Sequence, residues 1–299
     1  MMSRPSPVQR SSSTLGHVVE RIRRELLSVG IESAEPEARW LVQAVLGISP
    51  LQQTLRRTRL LSRDEAATVE AWVSRRLRRE PLQYILGTQE FCGLEFHVNP
   101  SVLIPRPETE LLIAETIRRS PKKESPLLVD VGCGSGCVAV TLARTIRGSR
   151  IFAIDISPTV LETARLNARR HEVETAITWL KGDLLAPLLG RGLEGTITAV
   201  VSNPPYIRED EWATLQDEVR LFEPRTALVA GSRGTEFHER LLREAIPFLA
   251  PGGLLVMEMG RGQSTELAKL VESKTDYRSV DIVRDIAGID RVLIAERAD

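Results

Sequence analysis

Through roughly the first eighty residues apolar positions recur at helical spacing, whereas beyond about residue 127 they gather into short runs. Val18, Ile22 and Leu26 fall at i, i+4 and i+8 behind Thr14, whose hydroxyl can cap a helix start, and Gly30 supplies the stop. A second helix is predicted near Pro36, with Ala38, Leu41, Val42 and Val45 on one face and a stop around Gly47. Ser62-Arg63-Asp64-Glu65 has the capping-box form and opens a third helix to about Leu77. These helices form a small bundle over 14–86; it carries no catalytic constellation, and its expected task is recognition. Phe91, Phe96 and Val98 flank Gly93 as in a short hairpin, so 87–101 reads as a linking hairpin. Val102-Leu103-Ile104-Pro105-Arg106-Pro107-Glu108-Thr109-Glu110 then leads into an amphipathic helix bearing Leu111, Leu112 and Ile117.

Farther on, apolar runs at 127–131, 151–154, 176–180 and 197–201 alternate with helix patterns at 136–147 and 158–170. Such alternation argues βαβ units and a parallel sheet covered by helices. A helix near 235–249, a strand at 253–258 and a helix near 263–272 follow, then strands at 279–284 and 291–296. Gly288 lies between the last two, which suggests an antiparallel hairpin at one sheet edge. The expected architecture is therefore an α/β domain over 102–299 behind a helical bundle.

Composition changes this picture little. Lysine plus arginine and aspartate plus glutamate both count 40, so there is no global pull toward nucleic acid. Arginines nevertheless crowd the bundle at 21, 23, 24, 56, 57, 59, 75, 76, 78 and 79; they are either solvated helix faces or a patch for a nucleic-acid-bearing or acidic partner. Three cysteines, Cys92, Cys133 and Cys137, cannot build a disulfide framework, and no zinc spacing is present, which fits a reducing cytoplasm and no metal. No apolar run approaches the roughly 18 residues of a membrane span. Residues 1–13 lack the apolar stretch of a secretory signal and are expected to be disordered, although their Arg/Ser content also weakly resembles an organellar transit peptide.

Leu128-Val129-Asp130-Val131-Gly132-Cys133-Gly134-Ser135-Gly136 is a strand running into a glycine-rich turn and a helix. Gly132, Gly134 and Gly136 let the backbone pass close to a ligand that side chains would block. Dinucleotide sites use the same device, but their spacing is G-x-G-x-x-G, and here an acid, Asp130, stands two residues before the first glycine. Asp155 ends the next strand, where a carboxylate can accept from ribose hydroxyls, and Asp183 follows the third, where an adenine amino group could be met. These three acid-ended strands resemble the class I S-adenosylmethionine-dependent methyltransferase fold, a Rossmann-like, seven-stranded, mostly parallel sheet. A plain α/β nucleotide site, such as an NAD-dependent dehydrogenase, stays open on the glycine turn alone.

The sharper signal is Asn203-Pro204-Pro205-Tyr206, after the fourth strand. Two prolines fix φ and donate no N–H, leaving a stiff, acceptor-rich turn to which Asn203 adds a side-chain carbonyl and Tyr206 an aromatic face. An amide or aryl amine nitrogen has its lone pair delocalised, so two acceptors on its N–H groups orient it and stabilise charge developing there. Methylation of such a nitrogen needs neither metal nor covalent nucleophile.

The tetrapeptide resembles amino-methyltransferases acting on adenine N6, cytosine N4 or glutamine N5. Val102 to Glu110, Asn203 to Ile207, Phe222-Glu223-Pro224, Ala227-Leu228 and Asp290-Arg291-Val292 together resemble the HemK/PrmC family of release-factor glutamine methyltransferases, over roughly residues 15–297. That resemblance implies methylation of the glutamine in the Gly-Gly-Gln motif of class I peptide chain release factors. It implies that Gly132, Gly134, Gly136, Asp155 and Asn203 contact S-adenosylmethionine, with Asp130, Cys133, Ser135, Asp183 and Leu184 completing the cofactor set. Leu184 stands where some members carry a large aromatic. Asn203 and the Pro204 carbonyl are expected to hold the glutamine amide, with Pro205 and Tyr206 beside it; Arg106 and Glu108 either shape the pocket mouth or form a structural pair. The expected enzyme is a cytoplasmic monomer without a membrane or sequence-specific nucleic-acid partner. Nucleic-acid amino-methylation and a non-catalytic cofactor-binding module are the competing readings.

Overall fold

The computed structural model describes residues 13–120 and 124–299, so all of the start expected to be disordered except Ser13 lies outside the described residues. The chain divides into two compact units, Met1–Leu86 and Gly87–Asp299.

The first unit is helical: α1 (Leu15–Ser28), α2 (Ala34–Leu46), α3 (Pro50–Leu55), α4 (Arg63–Leu77) and α5 (Leu82–Leu86). Thr14 caps α1 through the His17 N–H, α2 stops at Gly47 in the left-handed region (φ 60°), and Ser62 and Glu65 exchange bonds across the start of α4. The short α3 was not anticipated, although Ser49 and Gln52 form a second capping box there with Pro50 in the first turn. Leu15, Ile22, Leu26, Leu41, Val42, Val69 and Val73 make the core. Many of the crowded arginines are committed to carboxylates of the same bundle: Arg21 to Glu25 and Glu70, Arg23 to Glu20, Arg59 to Glu65, Arg75 to Glu80, and the buried Arg76 to Glu37 at 2.6 Å.

The second unit opens with a hairpin, β1 (Thr88–Phe91) and β2 (Leu94–His97), turned by Cys92 and Gly93, both at positive φ as a two-residue turn requires. This hairpin is not a free linker. Phe91 and Phe96 are buried edge to face at 6.1 Å, and Asn167 grips His97 by both its N–H and its carbonyl.

There follow α6 (Glu108–Arg119), β3 (Leu127–Val131), α7 (Cys137–Thr145), β4 (Arg150–Asp155), α8 (Pro158–Arg170), β5 (Ile177–Lys181) and β6 (Ile197–Ser202). Next come β7 (Ile207–Arg208), α9 (Asp217–Phe222), β8 (Val229–Gly231), α10 (Glu236–Glu244), β9 (Leu249–Glu258), α11 (Ser264–Glu272), β10 (Tyr277–Arg284) and β11 (Asp290–Arg297). Among the described residues seven strands form one sheet in the order β10-β11-β9-β6-β3-β4-β5, in which only β11 runs against the others, and β10 and β11 form an antiparallel hairpin at one edge as the sequence suggested. Leu112, Val138, Leu142, Leu161 and Ala164 cover one face, and Leu241, Leu242, Leu267 and Val271 the other. The helix expected over 235–249 ends at Glu244 and β9 begins four residues before the expected strand; Pro251 and Gly252 are absorbed as an irregularity where β9 meets β6.

The chain runs outward from β3 through β4 to β5, then returns to place β6 on the other side of β3. That reversal leaves a crevice at the carboxyl ends of β3 and β6, the place where open α/β sheets bind ligands.

Candidate active site

The glycine turn leaves β3 at this crevice. Gly132, Gly134 and Gly136 all have positive φ, 71°, 54° and 81°. Gly132 is exposed, and an added Cβ would meet nothing within 4 Å, so the turn borders open space. At Gly136 the opposite holds: a Cβ would stand 3.0 Å from Ala164 Cβ and 3.2 Å from its Cα, so this glycine lets α7 start against α8. The N–H groups of Gly132 and Cys133 donate to the Ile154 carbonyl at 2.9 and 3.0 Å, and the Ser135 carbonyl accepts from Asn167. Cys133 and Ser135 are buried. The Cys133 and Cys137 thiols are pushed up by burial, the latter to about 12, so neither offers a thiolate.

Asp155 ends β4 with its carboxylate half-buried, accepting from the Gly134 N–H at 3.2 Å and the Ser157 N–H at 3.0 Å. Each carboxylate oxygen has a second lone pair left for a ligand hydroxyl. Burial raises its pKa. Asp130 is placed differently from Asp155. It is 1% exposed, accepts from the Ala139 N–H at 3.0 Å and is pushed up to about 7 by burial. It braces the first turn of α7 from beneath and does not open onto the crevice.

Ser202, the last residue of β6, pairs in register with Val131, the last of β3, and its hydroxyl donates to the Val131 carbonyl at 2.8 Å. Asn203-Pro204-Pro205-Tyr206 and Gly132–Gly136 therefore spring from adjacent strands at the same level, about 4.8 Å apart. Gln263 clasps the proline loop: its amide nitrogen donates to the Tyr206 and Gly234 carbonyls, both at 3.0 Å, while its oxygen accepts from the Gly260 N–H. The two glycines are required here, since a Cβ at Gly234 would come within 2.7 Å of the Tyr206 carbonyl and one at Gly260 within 3.0 Å of the Tyr206 ring.

Behind this loop lies a polar chain that the sequence did not disclose. Asn203 Nδ2 donates to Thr109 Oγ1 at 3.0 Å, Thr109 Oγ1 donates to Glu258 Oε2 at 2.6 Å, and the Tyr206 hydroxyl donates to Glu258 Oε1 at 3.4 Å. Glu258 is 1% exposed and pushed up to about 7, chiefly by burial; burial likewise raises the Tyr206 phenol. The available signal was the acid closing the apolar β9, a fourth instance of the pattern seen at Asp130, Asp155 and Asp183.

One expectation needs correction. Arg106 does not pair with Glu108. It meets Glu223, a carboxylate with 1% of its side chain exposed that also accepts from the Ile104 N–H at 3.1 Å, while Glu108 faces Arg291 at 3.9 Å. Asp183 is turned toward Arg240, which engages both its oxygens at 3.2 and 2.7 Å. Leu184 is half-buried with φ 45°, a left-handed conformation that a branched side chain rarely takes and that tends to mark functional sites. No group of three or more potential metal ligands occurs among the described residues.

Residues 17–87 match the family model described as the PrmC N-terminal domain, and residues 128–224 match a methyltransferase domain. A release factor glutamine methyltransferase from Geobacter sulfurreducens is 40% identical over 280 residues, covering 94% of this chain and 95% of the relative. Another, from Nitratidesulfovibrio vulgaris, is 38% identical over 293 residues and covers 98% of each. A methyltransferase structure from Pyrococcus furiosus superimposes with TM-score 0.51 at 20% identity, covering 76% of this chain and 99% of that one. The catalytic domain of hMettl16 gives 0.57 at 16%, covering 81% and 86%, and both agree with the class I methyltransferase fold. With relatives this similar along nearly its whole length, the chain belongs to the release factor glutamine methyltransferase family.

Proposed function

We propose that this enzyme transfers a methyl group from S-adenosylmethionine to N5 of the glutamine in the Gly-Gly-Gln motif of class I peptide chain release factors. The observation that carries this reading is the register of Ser202 with Val131, which sets the proline loop beside the glycine turn.

The residues present fit the cofactor: a glycine turn with open space above the exposed Gly132, and the Asp155 carboxylate with lone pairs to spare for ribose hydroxyls. Cys133 and Ser135 contribute backbone to the turn, Asp130 holds it from below, and Asp183 and Leu184 stand on the adenine side. When bound, S-adenosylmethionine supplies a methyl group already activated by its sulfonium.

The rest falls to the chain. Asn203 Oδ1 and the Pro204 carbonyl accept the two N–H bonds of the glutamine amide, turning its nitrogen toward the cofactor side. Those acceptors stabilise positive charge as the nitrogen loses conjugation with its carbonyl. Pro204 and Pro205 hold the loop rigid, so little reorganisation is needed when charge develops. Tyr206 packs beside the amide, anchored through Glu258 and Gln263. Arg106, locked to Glu223, shapes the mouth of the pocket, and Glu108 lies next to Arg291. One N–H hydrogen is replaced by methyl and leaves as a proton.

The relatives are named for glutamine, which does not favour nucleic-acid amino-methylation as the reaction here. No described helix is long and apolar enough to cross a membrane, and the three cysteines are free; we place the enzyme in the cytoplasm, acting as a monomer, with the helical unit recognising the release factor. Incubation with labelled cofactor and a purified class I release factor tests the reading. Label is expected on the Gly-Gly-Gln glutamine and is lost when that residue is replaced by alanine; label retained by that variant overturns the assignment.

A further inference from the structure

We propose that Thr109 and Glu258 act as positioning residues that set which end of the Asn203 carboxamide faces the substrate. The inference rests on the glutamine reading above.

A carboxamide carries an acceptor on one side and two donors on the other, and a half-turn exchanges them with almost no change of shape. Methylation needs the oxygen toward the substrate NH2. Asn203 contacts Thr109, and a hydroxyl alone is indifferent, since it can donate or accept. It has one hydrogen, however. Ionised Glu258 can only accept, and its 2.6 Å contact claims that hydrogen. Thr109 is left with lone pairs, which only the Asn203 NH2 can meet, as it does at 3.0 Å. Oδ1 is thereby pointed away from Thr109.

Burial makes the choice strict: Thr109 is 3% and Glu258 1% exposed, so water cannot substitute for a missing partner. Protonated Glu258 would donate to Thr109, freeing the Thr109 hydrogen for Oδ1 and reversing the polarity. Burial, and after it Glu108, oppose the Glu258 carboxylate, the Thr109 hydroxyl, Arg291 and the Tyr206 hydroxyl favour it, and the balance lies at about 7. His238 faces only its backbone carbonyl, at 2.8 Å.

The experiment compares Thr109→Val, which keeps the shape and loses the hydroxyl, with Thr109→Ser, which keeps the hydroxyl, using full-length enzyme, a class I release factor and saturating cofactor. Thr109→Val is expected to lose about tenfold or more in kcat, the worth of one fixed hydrogen bond, with the cofactor KM nearly unchanged, while Thr109→Ser stays close to wild type. In wild type kcat falls as pH drops below about 7; in Thr109→Val it is low and flat over that range. Asp130 and Asp155 titrate at the glycine turn, so their effects enter the cofactor KM and not kcat at saturation. Wild-type kcat in Thr109→Val, or equal losses in both variants, overturns the inference. Absence of transfer by the wild type overturns the proposed function and takes the inference with it; normal transfer by wild type and Thr109→Val alike overturns the inference alone.

Discussion

The glycine turn makes a prediction in which two similar substitutions fail for different reasons. At Gly136, alanine must hold φ 81°, which costs roughly 1–2 kcal/mol for an L-residue. Its Cβ must also displace Ala164 Cβ at 3.0 Å and Cα at 3.2 Å, neither of which can rotate aside, so α7 and α8 must separate. Overpacking of this kind adds about 1–3 kcal/mol, for a total of about 2–5 kcal/mol. At roughly 2–4 °C per kcal/mol for a unit of this size, Gly136→Ala should lower Tm by about 4–20 °C. Gly132→Ala carries the conformational cost at φ 71° but meets no atom within 4 Å, so its Tm should fall by only about 2–8 °C. Its methyl group, however, projects into the space assigned to the cofactor. Thermal unfolding and calorimetric titration with S-adenosylmethionine separate the two: Gly132→Ala loses affinity out of proportion to its small loss of stability. Wild-type affinity in Gly132→Ala would refute the placement of the cofactor, and an unchanged Tm in Gly136→Ala would refute the packing argument.

Other consequences follow from the buried carboxylates. Asp130 and Glu258 are both pushed up to about 7, so between the ordinary carboxylate range and pH 7 the folded protein keeps protons that the unfolded chain has released. Stability is therefore fullest at the acid end of that window and falls as pH rises to about 7, by at most about 1.4 kcal/mol per pH unit per group. Asp130→Asn removes one contribution, so in urea unfolding it should gain on the wild type between pH 5 and pH 8; a constant offset contradicts this. Glu223→Ala strips acceptors from the Ile104 N–H and from Arg106 and should cost about 1–3 kcal/mol, whereas Glu223→Gln keeps an acceptor and should cost less. Equal urea midpoints for Glu223→Ala and wild type would show that the Arg106–Glu223 pair contributes nothing.

What the sequence disclosed and what it withheld divide along a physical line. Positive φ at glycine, fixed φ at proline and acids at strand ends are written in residue identity, so the glycine turn and Asn203 to Tyr206 could be read directly. Contacts made only by the fold could not. Thr109 and Glu258 are 149 positions apart, and Arg106 and Glu223 are 117 apart. Glu108 drew attention as the partner of Arg106 because it is near in sequence, yet residues two apart at a helix start do not face each other. Helices as short as α3 and α5 offer too few turns for periodicity to register. The hairpin reads as a linker from its position, although two phenylalanines so close together already ask for burial, and Phe96 is fully buried.

The central claim is that acceptors on a proline-stiffened loop hold an NH2 group for methyl transfer, and the single-turnover rate of Asn203→Ala on a release factor at saturating cofactor tests it most directly. Removing one such electrostatic contact should slow transfer by about 10²–10³-fold. A rate within about threefold of wild type would show that the Asn203 carboxamide does not hold the reacting nitrogen.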